Sequence, residues 1–221
     1  WVEPIGVDFR GYRVHEIPPN GQGVAALIAL GILERLDLDP DALDSAAMQH
    51  LAIEATKLGM ADVKAHVSDP DTMLVRTEAL LTDAYLSERA RIVRPDRATA
   101  PNPGRPEMHG TVYLAAADAD GMMVSLIQSN FRGFGSGVVV QGTGIALNNR
   151  GSGFVLDAKH PNVVGPRKRP LHTIIPGFAT KDGKPVAAFG VMGGPMQPQG
   201  HVQVALRLFA AGQNPQAAID A

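Results

Sequence analysis

The sequence predicts an α+β layered fold. Apolar residues recur at helical spacing between Val24 and Ile92, whereas from Thr111 to Gly190 they fall into short runs bounded by Asp-Gly and glycine-rich turns. A proline-rich stretch, Arg94–Gly110, separates the two textures, and helical spacing returns at His201–Ala211. Helices, tether, strands and a last helix are the order of a layered α+β domain and not of a βαβ repeat.

Residues 1–20 are short and extended, with Pro4, Pro18 and Pro19 limiting helix. Asn20-Gly21-Gln22-Gly23 turns into Val24–Leu36, which is apolar almost all round and reads as a buried helix. Asp44 or Ser45 can cap a second helix, with Met48, Leu51, Ala52, Ala55, Leu58 and Gly59 on one face and Gln49, Glu54 and Lys57 mainly elsewhere. Ser68-Asp69-Pro70-Asp71 reads as a turn. A third helix is predicted over Thr77–Ile92, with Leu80, Leu81, Ala84 and Tyr85 inward. Pro95, Pro101, Pro103 and Pro106 then make an exposed, mobile tether, the kind of segment that can be cut without unfolding.

Beyond it, Thr111–Ala117 and Met122–Gln128 flank Asp118-Ala119-Asp120-Gly121 as a hairpin. Phe131–Gly137 is glycine-rich, Val138–Val140 and Ile145–Leu147 are short strands, and Gly151–Arg169 is loop. Leu171–Thr180 and Pro185–Gly190 form a second hairpin around Lys181-Asp182-Gly183-Lys184, with Gly193-Gly194 ending that strand.

Composition narrows the function. The 221 residues are 45% hydrophobic and 19% charged, with a formal net charge of −2, which gives no electrostatic case for nucleic acid or an anionic membrane. No apolar run reaches the length of about 18 residues needed to span a bilayer. With no cysteine, disulfides, thiolate metal sites and a cysteine nucleophile are excluded, and the compartment stays open. The cytoplasm is favoured over a periplasmic or secreted location. The seven histidines share no ligand spacing, and Gly133–Gly137 lacks the Lys-Ser/Thr pair of a phosphate loop, so no metal or other cofactor is expected. Arg167-Lys168-Arg169 is a short, solvated or structural run. Trp1-Val2-Glu3-Pro4 is neither a signal peptide nor an initiation site, so the chain is read as a piece of a longer protein.

Thr111 opens a strand directly after the tether. By local composition alone this is an ordinary strand-opening threonine. It becomes a nucleophile if the Gly110–Thr111 bond is cut. The freed α-amine, with an unperturbed pKa of about 7.7–8.0, then supplies the base that a threonine hydroxyl needs.

Along nearly its whole length the chain resembles the gamma-glutamyltranspeptidase family of N-terminal nucleophile hydrolases. The matching stretches are Glu3-Pro4-Ile5, Asp8–Tyr12, Asp69-Pro70-Asp71, the Thr111 strand, Gly133–Gly137, Leu147-Asn148-Asn149, Gly165–Pro170 and Met192-Gly193-Gly194. The resemblance implies an αββα sandwich and a proenzyme that cleaves itself before Thr111. Residues 1–110 would be the end of the α chain and residues 111–221 most of the β chain, the two staying together with the remainder of both as a heterodimer or a dimer of these. It also implies the backbone N–H groups of Gly193 and Gly194 as oxyanion donors, although by themselves they read as a turn. Ser129 matches the hydroxyl residue that orients the nucleophile.

The substrate positions depart from the transpeptidase pattern. Where transpeptidases hold the glutamyl ammonium with a Gln and an Asp, this chain has Arg150 and Gly153, and an arginine repels an ammonium but welcomes a carboxylate or carbonyl. Their paired serines are matched by His172 and Thr173, and a nearby asparagine falls on Phe131, or on Asn130 with a one-residue slip. Gln128-Ser129, Gly135–Val139, Asn149-Arg150-Gly151 and Gln197-Pro198-Gln199 are similar in style to the amidohydrolase branch, of the oxamate amidohydrolase kind. The expectation is therefore an amidohydrolase acting on a small, anionic amide, with Arg150 as its anchor; for that residue a surface turn is the bland alternative. A gamma-glutamyl transferase or hydrolase is the first rival, and an uncleaved binding protein of the same fold the second.

Overall fold

A computed structural model describes residues 1–99 and 112–221. Strands β1 (Ile5–Phe9) and β2 (Tyr12–Glu16) form an antiparallel hairpin. Its two-residue turn holds Arg10 and Gly11 at φ 50° and 80°, the left-handed pair whose twist suits a tight hairpin. The extended stretch foreseen for residues 1–20 is thus a strand pair, because an Arg-Gly turn carries a weaker signal than Asn-Gly or Asp-Gly.

Helix α1 (Val24–Leu33) is buried at all ten positions, as its apolar circumference requires, and stops three residues short of the predicted end. Helix α2 (Ala46–His66) starts at the Ser45 cap, whose hydroxyl accepts from Met48 N at 3.3 Å. Leu51, Ala52, Ala55 and Gly59 are buried as predicted. Glu54 is buried too, contrary to expectation, because it accepts from Lys57 Nζ at 2.6 Å and from Thr99 N at 2.8 Å. A partner 45 residues away leaves no trace in helical periodicity.

The third helix is broken. A 3₁₀ turn over Thr77–Leu81 is followed by α3 (Asp83–Ala90), and Thr82, extended at ψ 149°, separates them and caps α3. That break shifts the helical phase, so Leu86 and Ala90 face inward while the predicted Ala84 is exposed. Beyond α3, Arg94–Ala98 are exposed and Thr99 is pinned to Glu54; the rest of the predicted tether, residues 100–110, lies outside the described residues.

The predicted hairpin is present as β3 (Val112–Ala117) and β4 (Met123–Gln128), in register from Val112↔Gln128 to Ala117↔Met123. The strands expected at residues 138–140 and 145–147 reduce to one isolated bridge, Val139↔Ala146. Strands β5 (Gly177–Lys181) and β6 (Lys184–Phe189) form the second hairpin, which begins at Gly177 rather than Leu171. The last helix starts earlier than read, at Gln197 with Pro198 in its first turn, and runs as α4 (Gln197–Ala205) into a π-turn over Leu206–Ala210. A short α5 (Pro215–Asp220) ends the chain.

The strands make a four-stranded antiparallel sheet, β1-β2-β5-β6, and a separate β3–β4 ribbon. The β2–β5 pairing joins residues 13–15 to residues 178–180. Helices α1 and α4 cover the Val14, Glu16 and Ala179 face of the larger sheet, with α2 and α3 packed outside α1. The ribbon lies against β6, where Ser125 Oγ donates to Phe189 O at 3.4 Å and the Tyr113 ring lies over Gly190. Among the described residues no helix is long and apolar enough to cross a membrane.

The α1–α2 crossing is set by Gly59, where an added Cβ would stand 2.4 Å from the Ala25 carbonyl oxygen. Gly59→Ala is expected to cost about 1–3 kcal/mol through overpacking. A urea melt checks this; an unchanged midpoint would mean that the helices separate freely.

Candidate active site

The site is assembled around the end of β4. Val112, the first described residue of β3, pairs with Gln128, and Ser129 follows. The chain then turns through a loop that needs unusual backbone, with Phe131 at φ 79° and Gly133, Gly135 and Gly137 between 50° and 78°. At Gly135 a Cβ would be 2.3 Å from the Leu147 carbonyl oxygen, so only glycine lets the loop fold onto the Asn-Asn segment. Asn149 staples the two, its Oδ1 accepting from Arg132 N at 3.0 Å and its Nδ2 donating to Gly135 O at 3.1 Å. Asn148 Oδ1 accepts from Arg150 N at 3.0 Å and starts a 3₁₀ turn over Arg150–Gly153.

That turn points Arg150 inward. The residue is only 5% exposed, which removes the surface-turn reading. Its Nη2 donates to Ser129 Oγ at 2.7 Å and to Ser129 O at 3.3 Å, and its Nη1 donates to Thr173 Oγ1 at 3.1 Å. The guanidinium also sits 5.3 Å from the centre of the Phe131 ring. No described carboxylate lies within ion-pair distance of it. Burial draws its pKa downward, although a guanidinium keeps its proton at any physiological pH.

Thr173 is linked onward. Its carbonyl accepts from Gln22 Nε2 at 3.1 Å, and the same nitrogen donates to Gly194 O at 2.8 Å. Gln197 Nε2 donates to Gly194 O as well, at 3.2 Å. Gly193 adopts φ 140° and Gly194 φ 59°, conformations open to glycine, and neither N–H donates to a described acceptor. Among the described residues the turn therefore leaves two adjacent backbone donors without an acceptor.

Ser129, Arg150, Thr173 and Gly194 are thus joined through one hydrogen-bonded series. His172 borders it by sequence, its backbone bonded to Asn20 and Gln22 and its Nδ1 accepting from Ile174 N at 3.1 Å. Asn130 enters through its carbonyl, which accepts from Asn149 N at 3.2 Å. Thr111 and Gly110 lie outside the described residues. Sequence reasoning missed Gln22, which reads as a turn residue, and the ring of Phe131 as a cover for Arg150.

Two further contacts brace the site. Asp69, read as turn chemistry, does accept from Asp71 N, but it also accepts from Arg169 N at 2.9 Å and from the Nε and Nη2 of that guanidinium, each at 3.3 Å. Those bonds hold its carboxyl down to about 2. Glu16 and His201 form a fully buried pair between β2 and α4, where burial pushes the Glu16 carboxyl up.

Burial, with the charge of Arg150 adding, pushes His172 down from 6.5 to about 4, so its imidazole is neutral at pH 7. Between those values the unfolded chain binds a proton that the folded state refuses. Stability therefore falls as pH drops from about 6.5 towards 4. His172→Gln is expected to flatten that part of the stability curve, measured by denaturant unfolding at a series of pH values; an unaltered slope would show His172 protonating freely.

The arrangement has counterparts. A sequence model of gamma-glutamyltranspeptidase matches residues 1–221. The glutathione hydrolase-like YwrD proenzyme of Bacillus subtilis is 40% identical over 99% of this chain and 41% of its own length. The oxamate amidohydrolase proenzyme of Klebsiella pneumoniae is 36% identical over 95% of this chain and 39% of its own length. The crystal structure of cephalosporin acylase from Bacillus halodurans superposes with a TM-score of 0.92 at 54% identity, covering all of this chain and 40% of that one. The chain spans about two-fifths of the length of these relatives. Its helices and antiparallel sheets are part of an N-terminal nucleophile hydrolase sandwich, and the chain belongs to the gamma-glutamyltranspeptidase family.

Proposed function

We propose that the full-length protein is an autoprocessing amidohydrolase that cleaves a small, anionic amide, with Thr111 as nucleophile. The observation that supports this best is Arg150, a buried cation with no described carboxylate beside it, bonded to Ser129 and joined through Thr173 and Gln22 to Gly194. An uncompensated buried charge is costly, and an anionic substrate group is a natural counterpart for it.

In this reading Thr111 Oγ first attacks the Gly110 carbonyl carbon. The Gly110–Thr111 C–N bond breaks, the nitrogen takes up the proton, and water hydrolyses the resulting ester, leaving a free α-amine. That separates the chain at the proposed boundary between residues 1–110 and 111–221, and the pieces remain partners with the rest of the protein. In turnover the α-amine accepts the Thr111 hydroxyl proton as Oγ bonds to the substrate carbonyl carbon, and passes it to the leaving amine as the C–N bond breaks. Water, deprotonated by the same α-amine, then attacks the acyl-enzyme ester, releasing the acid and restoring the Thr111 hydroxyl. The N–H groups of Gly193 and Gly194 stabilise the oxyanion, each donor typically contributing about 2.7–4 kcal/mol. Arg150 anchors the anionic group, while Asn130, neutral His172 and Thr173 complete the substrate side.

A gamma-glutamyl hydrolase is the second reading, favoured by the glutathione hydrolase names among the relatives. Turnover of a gamma-glutamyl anilide, stimulated by a dipeptide acceptor, would select it.

Intact mass spectrometry of the full-length protein, incubated at neutral pH, is expected to show two fragments, one beginning at Thr111, while Thr111→Ala stays whole. A wild-type protein that remains uncut under all conditions would remove the base from this mechanism. Arg150→Ala is expected to raise KM about 10- to 100-fold for an anionic amide, the loss of a charged hydrogen bond, and little for a neutral one. Equal effects on both would sink the anchor.

A further inference from the structure

We infer that Arg150 is also a positioning residue, which fixes the Ser129 hydroxyl as a hydrogen-bond donor at the active centre. This rests on the amidohydrolase reading and adds a role that substrate anchoring does not require. A serine hydroxyl carries one proton and two acceptor sites. At Ser129 both are approached by donors, Arg150 Nη2 at 2.7 Å and, more weakly, Phe131 N at 3.4 Å. Neither can accept. The Ser129 proton is therefore turned away from both, and no described residue accepts it.

The guanidinium is well placed to enforce this. It is gripped at its other nitrogen by Thr173 Oγ1, is covered by the Phe131 ring, and cannot become an acceptor by losing its proton. Ser129 itself is fixed at the end of β4, one residue past the Val112–Gln128 pair that leads out of the nucleophile strand. A donor hydroxyl there holds the lone pair of a neighbouring oxygen and leaves that oxygen's own proton for the nitrogen that takes it up, the scissile amide nitrogen in self-cleavage and the α-amine in turnover. An acceptor hydroxyl would instead compete for the same proton. The geometry thus assigns Ser129 as donor and excludes it as the base.

Self-cleavage separates the two roles of Arg150, because it involves no external anionic substrate. In the full-length precursor, timed by intact mass, Arg150→Met is expected to slow self-cleavage about 10- to 100-fold. Arg150→Gln, which keeps a neutral N–H donor, is expected to recover most of that rate without recovering KM for an anionic amide such as succinamate. In a Ser129→Ala background, itself slowed at least about tenfold, adding Arg150→Met is expected to change little, since the arginine acts through the serine. Self-cleavage at the wild-type rate in Arg150→Met, or equal slowing by it with and without Ser129, overturns the assignment while leaving the amidohydrolase reading intact. If Arg150→Met does not fold, Ser129→Ala alone decides, an unimpaired rate overturning the assignment. A wild-type precursor that never cleaves overturns both.

Discussion

The carboxamide of Gln22 is the contact on which the geometry of the site depends. It sits on the segment that enters α1, is 2% exposed, and donates to Thr173 O and Gly194 O from one nitrogen. Those carbonyls belong to segments that the sheet alone does not bring into register. One leads through Thr173 to Arg150 and Ser129; the other opens the turn into α4. Without the amide, Thr173 O loses its partner, which costs about 1–3 kcal/mol, and Gly194 O keeps only Gln197.

The surrounding structure reads as support for that joint. The Asp69–Arg169 bonds tie the turn after α2 to the segment just before His172 and Thr173. The buried Glu16–His201 contact fixes α4 against β2, and with it the turn that carries Gly193 and Gly194. Gln197 adds a second donor to Gly194 O. Each brace uses a polar side chain withdrawn from solvent. Such groups constrain relative position more strongly than apolar packing, because their bonds have preferred lengths and angles.

Much of this was legible in the sequence where the signal is local. The all-apolar run marked α1, Ser45 marked the start of α2, and Asp120-Gly121 marked the turn between β3 and β4. What escaped depends on distant partners. Glu54 is buried because Thr99 meets it, and Gln22 matters because two carbonyls from the far end of the chain converge on it. The break at Thr82 escaped because a single extended residue resets helical phase without altering composition. At the site, the resemblance singled out Ser129, Arg150, Thr173 and the glycine pair, but not that the arginine is buried and grips the serine. Thr111 itself lies outside the described residues, so its role rests on sequence and chemistry.

The pairing of β2 with β5 has a consequence for the order of events. Residues 13–15 and 178–180 are neighbours in one sheet, so residues from before and after the 110–111 bond share a single hydrogen-bonded ladder. Severing the backbone once this ladder exists gives up covalent continuity without releasing either piece. Severing it earlier would turn an intramolecular search into a diffusive encounter between two strands, at far lower effective concentration. For the self-cleavage proposed above, the topology therefore rewards folding first and cutting second, a condition that a cut made by the protein's own active centre would meet automatically.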